Sequence, residues 1–171
     1  MAETIDDQVK RSLQEVEGLY HRLVLVVGRA GTGKTGVLRF VAEDFGTSVT
    51  NVNLLLASKL LELTAKQQSV RLPSILNEMI DQLKSPLFLD NLEILFDKSL
   101  QQDPLRLLQG LSRNRTVVAS WNGSLTFGRL QYAEPGHPEY RRYDSVDAIM
   151  VSLEGTATVP PPRHNREVGQ S

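Results

Sequence analysis

The chain has 171 residues, a formal net charge of −1 and 40% hydrophobic residues, which suits one domain with a buried core. It contains no cysteine, which excludes a disulfide framework and any thiolate metal site and fits a reducing compartment such as the cytoplasm. No apolar run approaches the ~20 residues that cross a bilayer and no leader pattern stands at the start, so a soluble protein with no membrane partner is expected, and near-neutral charge gives no global argument for nucleic acid.

Val9, Leu13, Val16 and Tyr20 recur at helical spacing, so about 5–20 reads as an amphipathic helix packed on the core within an N-terminal unit, 1–22. Leu23 to Val27 is apolar throughout, as expected of a strand buried on both faces of a parallel sheet. A glycine-rich loop follows. Val37, Leu38, Val41 and Phe45 then set an apolar stripe on a helix from about Lys34 to Phe45, ended by Gly46. Residues 48–53 (SVTNVN) read as a second strand. Leu56, Leu60 and Leu63, followed by Ile75, Met79, Ile80 and Leu83, predict two helices around a break near Pro73.

Leu87-Phe88-Leu89 is the third predicted strand. Asp103-Pro104 is a helix start, a carboxylate cap before a proline, and Leu105, Leu108 and Leu111 form that helix's buried stripe. Thr116 to Trp121 reads as a fourth strand and Ala148 to Leu153 as a fifth; the aromatic, proline-containing 132–143 between them has no period and reads as an ordered loop. From Gly155 the composition is proline-rich and polar, which predicts a disordered tail over 155–171. Strands alternating with helices over 23–154 predict an α/β domain, three layers around a mainly parallel five-stranded sheet.

Gly28-Arg29-Ala30-Gly31-Thr32-Gly33-Lys34-Thr35 has the spacing of a phosphate-binding loop. Its glycines let successive N–H groups turn inward around phosphates at a helix N-terminus, with Gly36 in the first helical turn. Lys34 is placed to reach the β- and γ-phosphates and Thr35 to offer its hydroxyl to Mg²⁺; the bland alternative is a glycine-rich turn. Such a site needs a carboxylate near Thr35, and Asp90, at the end of the third strand, is the candidate metal ligand, its alternative being a turn-forming Asp. No guanine-reading Asn-Lys-x-Asp occurs, which leans to ATP.

Hydrolysis asks for a group that orients or deprotonates water and a cation for the transition state. Many related ATPases have a glutamate directly after the metal aspartate, but here the residue is Asn91, whose amide orients water without taking its proton. Glu93 is the nearest acid, a base if the turn brings it round and otherwise a solvated helix-start residue. Asn122 after the fourth strand is either a γ-phosphate sensor or an Asn-Gly turn, and Trp121 fits core or interface better than adenine stacking. Arg141 and Arg142 are candidate fingers acting in trans in a homo-oligomer, or else a solvated pair beside Glu139 and Asp144. Arg113, Arg115 and Arg129 are the candidates for a DNA contact. His21, His137 and His164 have no metal-ligand spacing and no Gly-x-Ser-x-Gly elbow is present, so neither zinc nor nucleophilic hydrolase chemistry is expected.

With the phosphate loop, LFLDNLEILFD at 87–97, DPLRLLQGLSRNRTVVASWNG at 103–123 and YAEPGHPEYRRY at 132–143 in view, the chain resembles the BrxF family, the small P-loop proteins of type 3 BREX bacteriophage-exclusion systems. The resemblance covers about residues 5–153. It implies a bacterial defence component acting with other BREX proteins, including a DNA methyltransferase and larger ATPase-type members. It also implies an additional-strand, AAA-like core without the helical lid domain of motor ATPases, and assigns Gly28 to Thr35 and Asp90 to nucleotide and magnesium. Three functions follow as alternatives: a Mg-ATPase remodelling a defence complex, a nucleotide-gated assembly module, and a small-molecule phosphotransferase.

Overall fold

A computed structural model of the chain describes residues 3–154 and 158–159. In chain order the elements are α1 (Ile5–Glu15), β1 (Leu23–Gly28), α2 (Lys34–Asp44), β2 (Val49–Asn51), α3 (Val52–Leu60), α4 (Ala65–Asp81), β3 (Leu87–Asp90), α5 (Pro104–Leu111), β4 (Val117–Thr126), β5 (Arg129–Tyr132), β6 (Arg141–Tyr143), β7 (Ile149–Ser152) and β8 (Thr158–Val159). Side-chain oxygens start the helices: Thr4 caps α1, Asn51 caps α3, Thr64 caps α4 in a reciprocal box with Gln67, and Asp103 caps α5 ahead of Pro104.

The sheet runs β2-β3-β4-β1-β7-β8. Its first five members are parallel, and β4 separates the strand bearing Asp90 from β1. Alternation along the strands sorts two cores onto two faces. Leu23, Leu25 and Val27 join Leu87, Leu89, Val117 and Ala119 beneath α3, α4 and α5. Val24 and Val26 join Phe88, Val118, Ile149 and Val151 beneath α1 and α2. The result is the expected three-layer α/β core, with every residue of β1 buried.

Several boundaries differ from the sequence expectation, each for a local reason. The α1 helix stops at Glu15 and gives way to a 3-10 turn over Val16–Gly18. The second strand is only Val49–Asn51, because Asn51 caps α3 and draws Val52 and Asn53 into the helix. No break occurs at Pro73, which lies inside α4; the helices part instead before Thr64. Proline removes the donor that the Ser69 carbonyl would otherwise receive, and the Gln102 side chain supplies it, Nε2 donating to Ser69 O at 2.7 Å.

The segment expected as a loop at 132–143 is part of an antiparallel extension. The β4 strand runs on to Thr126, turns at Phe127-Gly128, returns as β5, and β5 pairs with β6. Both turn residues have positive φ, 52° and 77°, the geometry of a two-residue hairpin turn. Thr158 and Val159, within the stretch read as a disordered tail, form β8 against β7; the rest of that expectation lies outside the described residues.

Candidate functional site

The loop from Gly28 to Thr35 links the C-terminal end of β1 to the N-terminus of α2, at the edge of the sheet where Asp90 ends β3 and Asn122 pairs in register with Gly28. At Gly28 an added Cβ would lie 2.5 Å from Thr32 Oγ1, so that hydroxyl, which donates to the Arg29 carbonyl, would have to shift. Gly33 caps α2 with φ +96° and no side-chain hydrogen bond, which leaves the first N–H groups of the helix for an anion. Gly36, one turn in, has open space where a Cβ would stand.

Lys34 is 6% exposed, and its ammonium donates to the Arg29 carbonyl at 2.7 Å. The same carbonyl accepts from Thr32 N at 3.2 Å and from Thr32 Oγ1 at 2.7 Å. Burial pushes the Lys34 ammonium below its usual value, offset in part by the charges of Asp90, Glu93 and Glu154. Arg29 itself is exposed and faces Glu154 at 3.6 Å, a surface pair of small energetic worth. Ala30 and Gly31 complete the outer bend, Gly31 with φ +82°.

Asp90 is buried between two hydroxyls. Thr35 Oγ1 donates to its Oδ2 at 2.6 Å, and Ser120 Oγ donates to its Oδ1 at 2.6 Å. A carboxylate and a threonine hydroxyl held in contact are the hard oxygen donors that Mg²⁺ takes when nucleotide phosphates fill its other positions. The residues therefore fit the ion. Among the described residues no group of three or more His, Cys, Asp or Glu could hold a metal alone. Ser120 was not foreseen; a lone polar residue in the apolar strand TVVASW was its signal.

Asn91 serves through its backbone. It adopts φ 56°, a left-handed conformation that Asn tolerates better than most residues, and its carbonyl accepts from Asn53 N at 3.0 Å. This reversal carries the chain into a 3-10 turn at Glu93–Phe96 and brings Glu93 back to the site. Asn122 Nδ2 donates to Glu93 Oε1 at 2.6 Å and Asn53 Nδ2 donates to Oε2 at 3.0 Å. Asn53 also accepts from Ile94 N at 2.9 Å, so it fixes both the carboxylate and the turn beneath it. Asn53 was missed, since 48–53 reads as one strand with Asn53 as its last residue.

The arginines bond elsewhere. Arg141 Nη2 donates to the Gln102 carbonyl at 2.7 Å, and Arg142 faces Asp144 at 3.1 Å. Arg113 lies over the Tyr20 ring at 4.9 Å, Arg115 pairs with Asp81, and Arg129 faces Asp144 at 3.6 Å. Trp121 is buried against Phe96 and Tyr132 and donates to the Gln131 carbonyl at 3.1 Å, a core role. No helix among the described residues is long and apolar enough to cross a membrane.

The model of the family described as ATPase family associated with various cellular activities (AAA) matches residues 24–120. That match runs from β1 to Ser120 and takes in the loop, Asn53, Asp90 and Glu93. No curated protein matches the chain. The mainly parallel three-layer α/β core is consistent with that match, and the chain belongs to the AAA family of P-loop ATPases.

Proposed function

We propose that this ATP-binding protein is a Mg²⁺-dependent component of a BREX-type bacteriophage-defence system in the bacterial cytoplasm, slow as an ATPase alone and stimulated by partners whose assembly or remodelling it drives. The observation that carries the catalytic part is the double amide hold on Glu93, from Asn53 at 3.0 Å and Asn122 at 2.6 Å. Each amide occupies one of the two carboxylate oxygens, so Glu93 is positioned yet restrained. Lys34 and the α2 N-terminus bind phosphate, Thr35 and Asp90 hold the ion, and Glu93 takes the proton of water once an amide lets go. Mg²⁺ held there would neutralise charge on the phosphates.

The BREX assignment is supported by the WNG segment at 121–123 and the tyrosine-bounded segment at 132–143. Partners are accordingly other BREX proteins, with Arg142, exposed on β6, as the residue offered in trans within a homo-oligomer. Arg113, Arg115 and Arg129 are each engaged within the chain, so no DNA contact is assigned to these three. A second reading, a nucleotide-gated module that does not hydrolyse, is favoured by Asn91 standing where a glutamate is usual.

Two substitutions decide between them in one assay series of nucleotide binding, ATP turnover and phage protection. Lys34→Ala is expected to lose all three. Glu93→Gln is expected to bind ATP but lose turnover and protection; retained protection with no turnover in either form selects the gated module.

A further inference from the structure

A chamber of about 610 Å³ opens beside the phosphate loop on its β4 side, and its polar lining includes Asn122, Ser124, Gln131, Tyr132, Glu134 and His137, with Arg29 at the loop. This is the size of a small-organic-ligand site. The side chains of Ser124, Gln131 and Glu134 have no hydrogen-bond or ion-pair partner among the described residues. His137 Nδ1 accepts from Glu139 N at 3.0 Å, which leaves Nε2 as its free nitrogen. Ser124 and Gln131 are half-buried and Glu134 and His137 exposed; a hollow of this size with polar groups converging on it beside a reactive centre is where a ligand is expected.

The chemistry of the lining selects the ligand. Planar amides and a carboxylate read the edges of nucleobases, an amide by donating and accepting together and a carboxylate by accepting from amino groups. Ala133 and Pro135 add an apolar wall. Among the described residues Arg29 is the one arginine or lysine of the lining, and it faces Glu154, so these residues do not offer the cluster of cations that a second phosphate chain would need. We propose that the chamber, bordered by Arg29 and Ala30 of the loop, is a nucleobase site distinct from the phosphate-binding positions at Lys34 and the α2 N-terminus, filled by a free nucleoside or by the exposed base of a single-stranded nucleic acid.

Asn122 joins this site to the one beside it. Its amide lines the chamber and also donates to Glu93, so a base edge that takes that amide releases one hold on the carboxylate. This coupling rests on the proposed role of Glu93; the binding itself does not.

The test uses the full chain saturated with Mg²⁺ and a non-hydrolysable ATP analogue. Adenosine, guanosine, cytidine and uridine are titrated by calorimetry, followed by single-stranded oligonucleotides of each base. At least one base is expected to bind with a dissociation constant below about 1 mM, and Gln131→Ala or Glu134→Ala to weaken it about tenfold while leaving the analogue's affinity unchanged. Equal affinity for nucleoside and oligonucleotide identifies the free nucleoside as the source, and tighter oligonucleotide binding identifies the nucleic acid. The proposal is overturned if no base binds in either form or if neither substitution weakens binding. It also falls if nucleosides bind only without the analogue, since the chamber would then hold the adenine of ATP. Lys34→Ala separates the two sites: loss of analogue with nucleoside retained leaves the chamber standing, whereas analogue binding unaffected by Lys34→Ala refutes the phosphate-loop reading alone.

Discussion

At the scale of single residues, the site is a set of hydrogen bonds that hold reactive groups in place. Ser120→Ala removes one of the two hydroxyls on Asp90 and is expected to weaken Mg²⁺-dependent nucleotide binding by about tenfold, a single charge-assisted hydrogen bond, in a magnesium titration. Asn53→Ala frees one Glu93 oxygen, and the basal ATPase rate of the isolated chain is expected to rise; a fall would assign Asn53 to orienting the base. Lys34 makes binding pH-dependent. Its folded value lies below 10.5 because of burial, so the unfolded chain holds this proton more tightly. The group therefore costs stability at low pH, and that cost lifts as pH rises through the folded value toward 10.5. Phosphates raise the value again, so nucleotide binding at alkaline pH should take up protons, seen as buffer-dependent binding heats.

At the scale of elements, α4 and the β4–β5 hairpin each carry a local conflict. Pro73 deprives Ser69 of its helical donor and Gln102 replaces it. Gln102→Ala is expected to cost about 1 kcal/mol in urea unfolding, and the cost should shrink in a Pro73→Ala background, where the helix supplies its own donor. Phe127 is fully exposed in a left-handed conformation, so Phe127→Asn, which creates a favoured Asn-Gly turn, is expected to stabilise by about 1 kcal/mol. These are the places where sequence periodicity gave the wrong element. Apolar runs made β1, β3 and β4 readable, and Asp103-Pro104 marked α5. A proline tolerated through a distant side chain, and strands of three or four residues such as β5 and β6, leave no periodic trace. The phosphate loop and Asp90 were legible for a similar reason, being local patterns, whereas Asn53 and Ser120 reach the site only through the strand order.

At the scale of the whole molecule, the antiparallel extension is tied back to the core. Arg141 reaches the Gln102 carbonyl, and Tyr143 donates to Asp103 Oδ1 at 3.0 Å, its hydroxyl pushed up to about 12 mainly by burial and then by the Asp103 charge. The hairpin thus stands as a fixed wall beside the nucleotide loop. If a second copy completes the site, turnover per chain should climb with protein concentration and lose that climb in Arg142→Ala; a constant rate in dilute solution would place the whole machinery in one chain. Among the described residues, the outermost strands are β2 with three residues, β6 with three and β8 with two. So short a rim gives another backbone little to zip onto. Edge-to-edge pairing with another chain is therefore expected to contribute little, and a partner of these edges is expected to engage side chains instead.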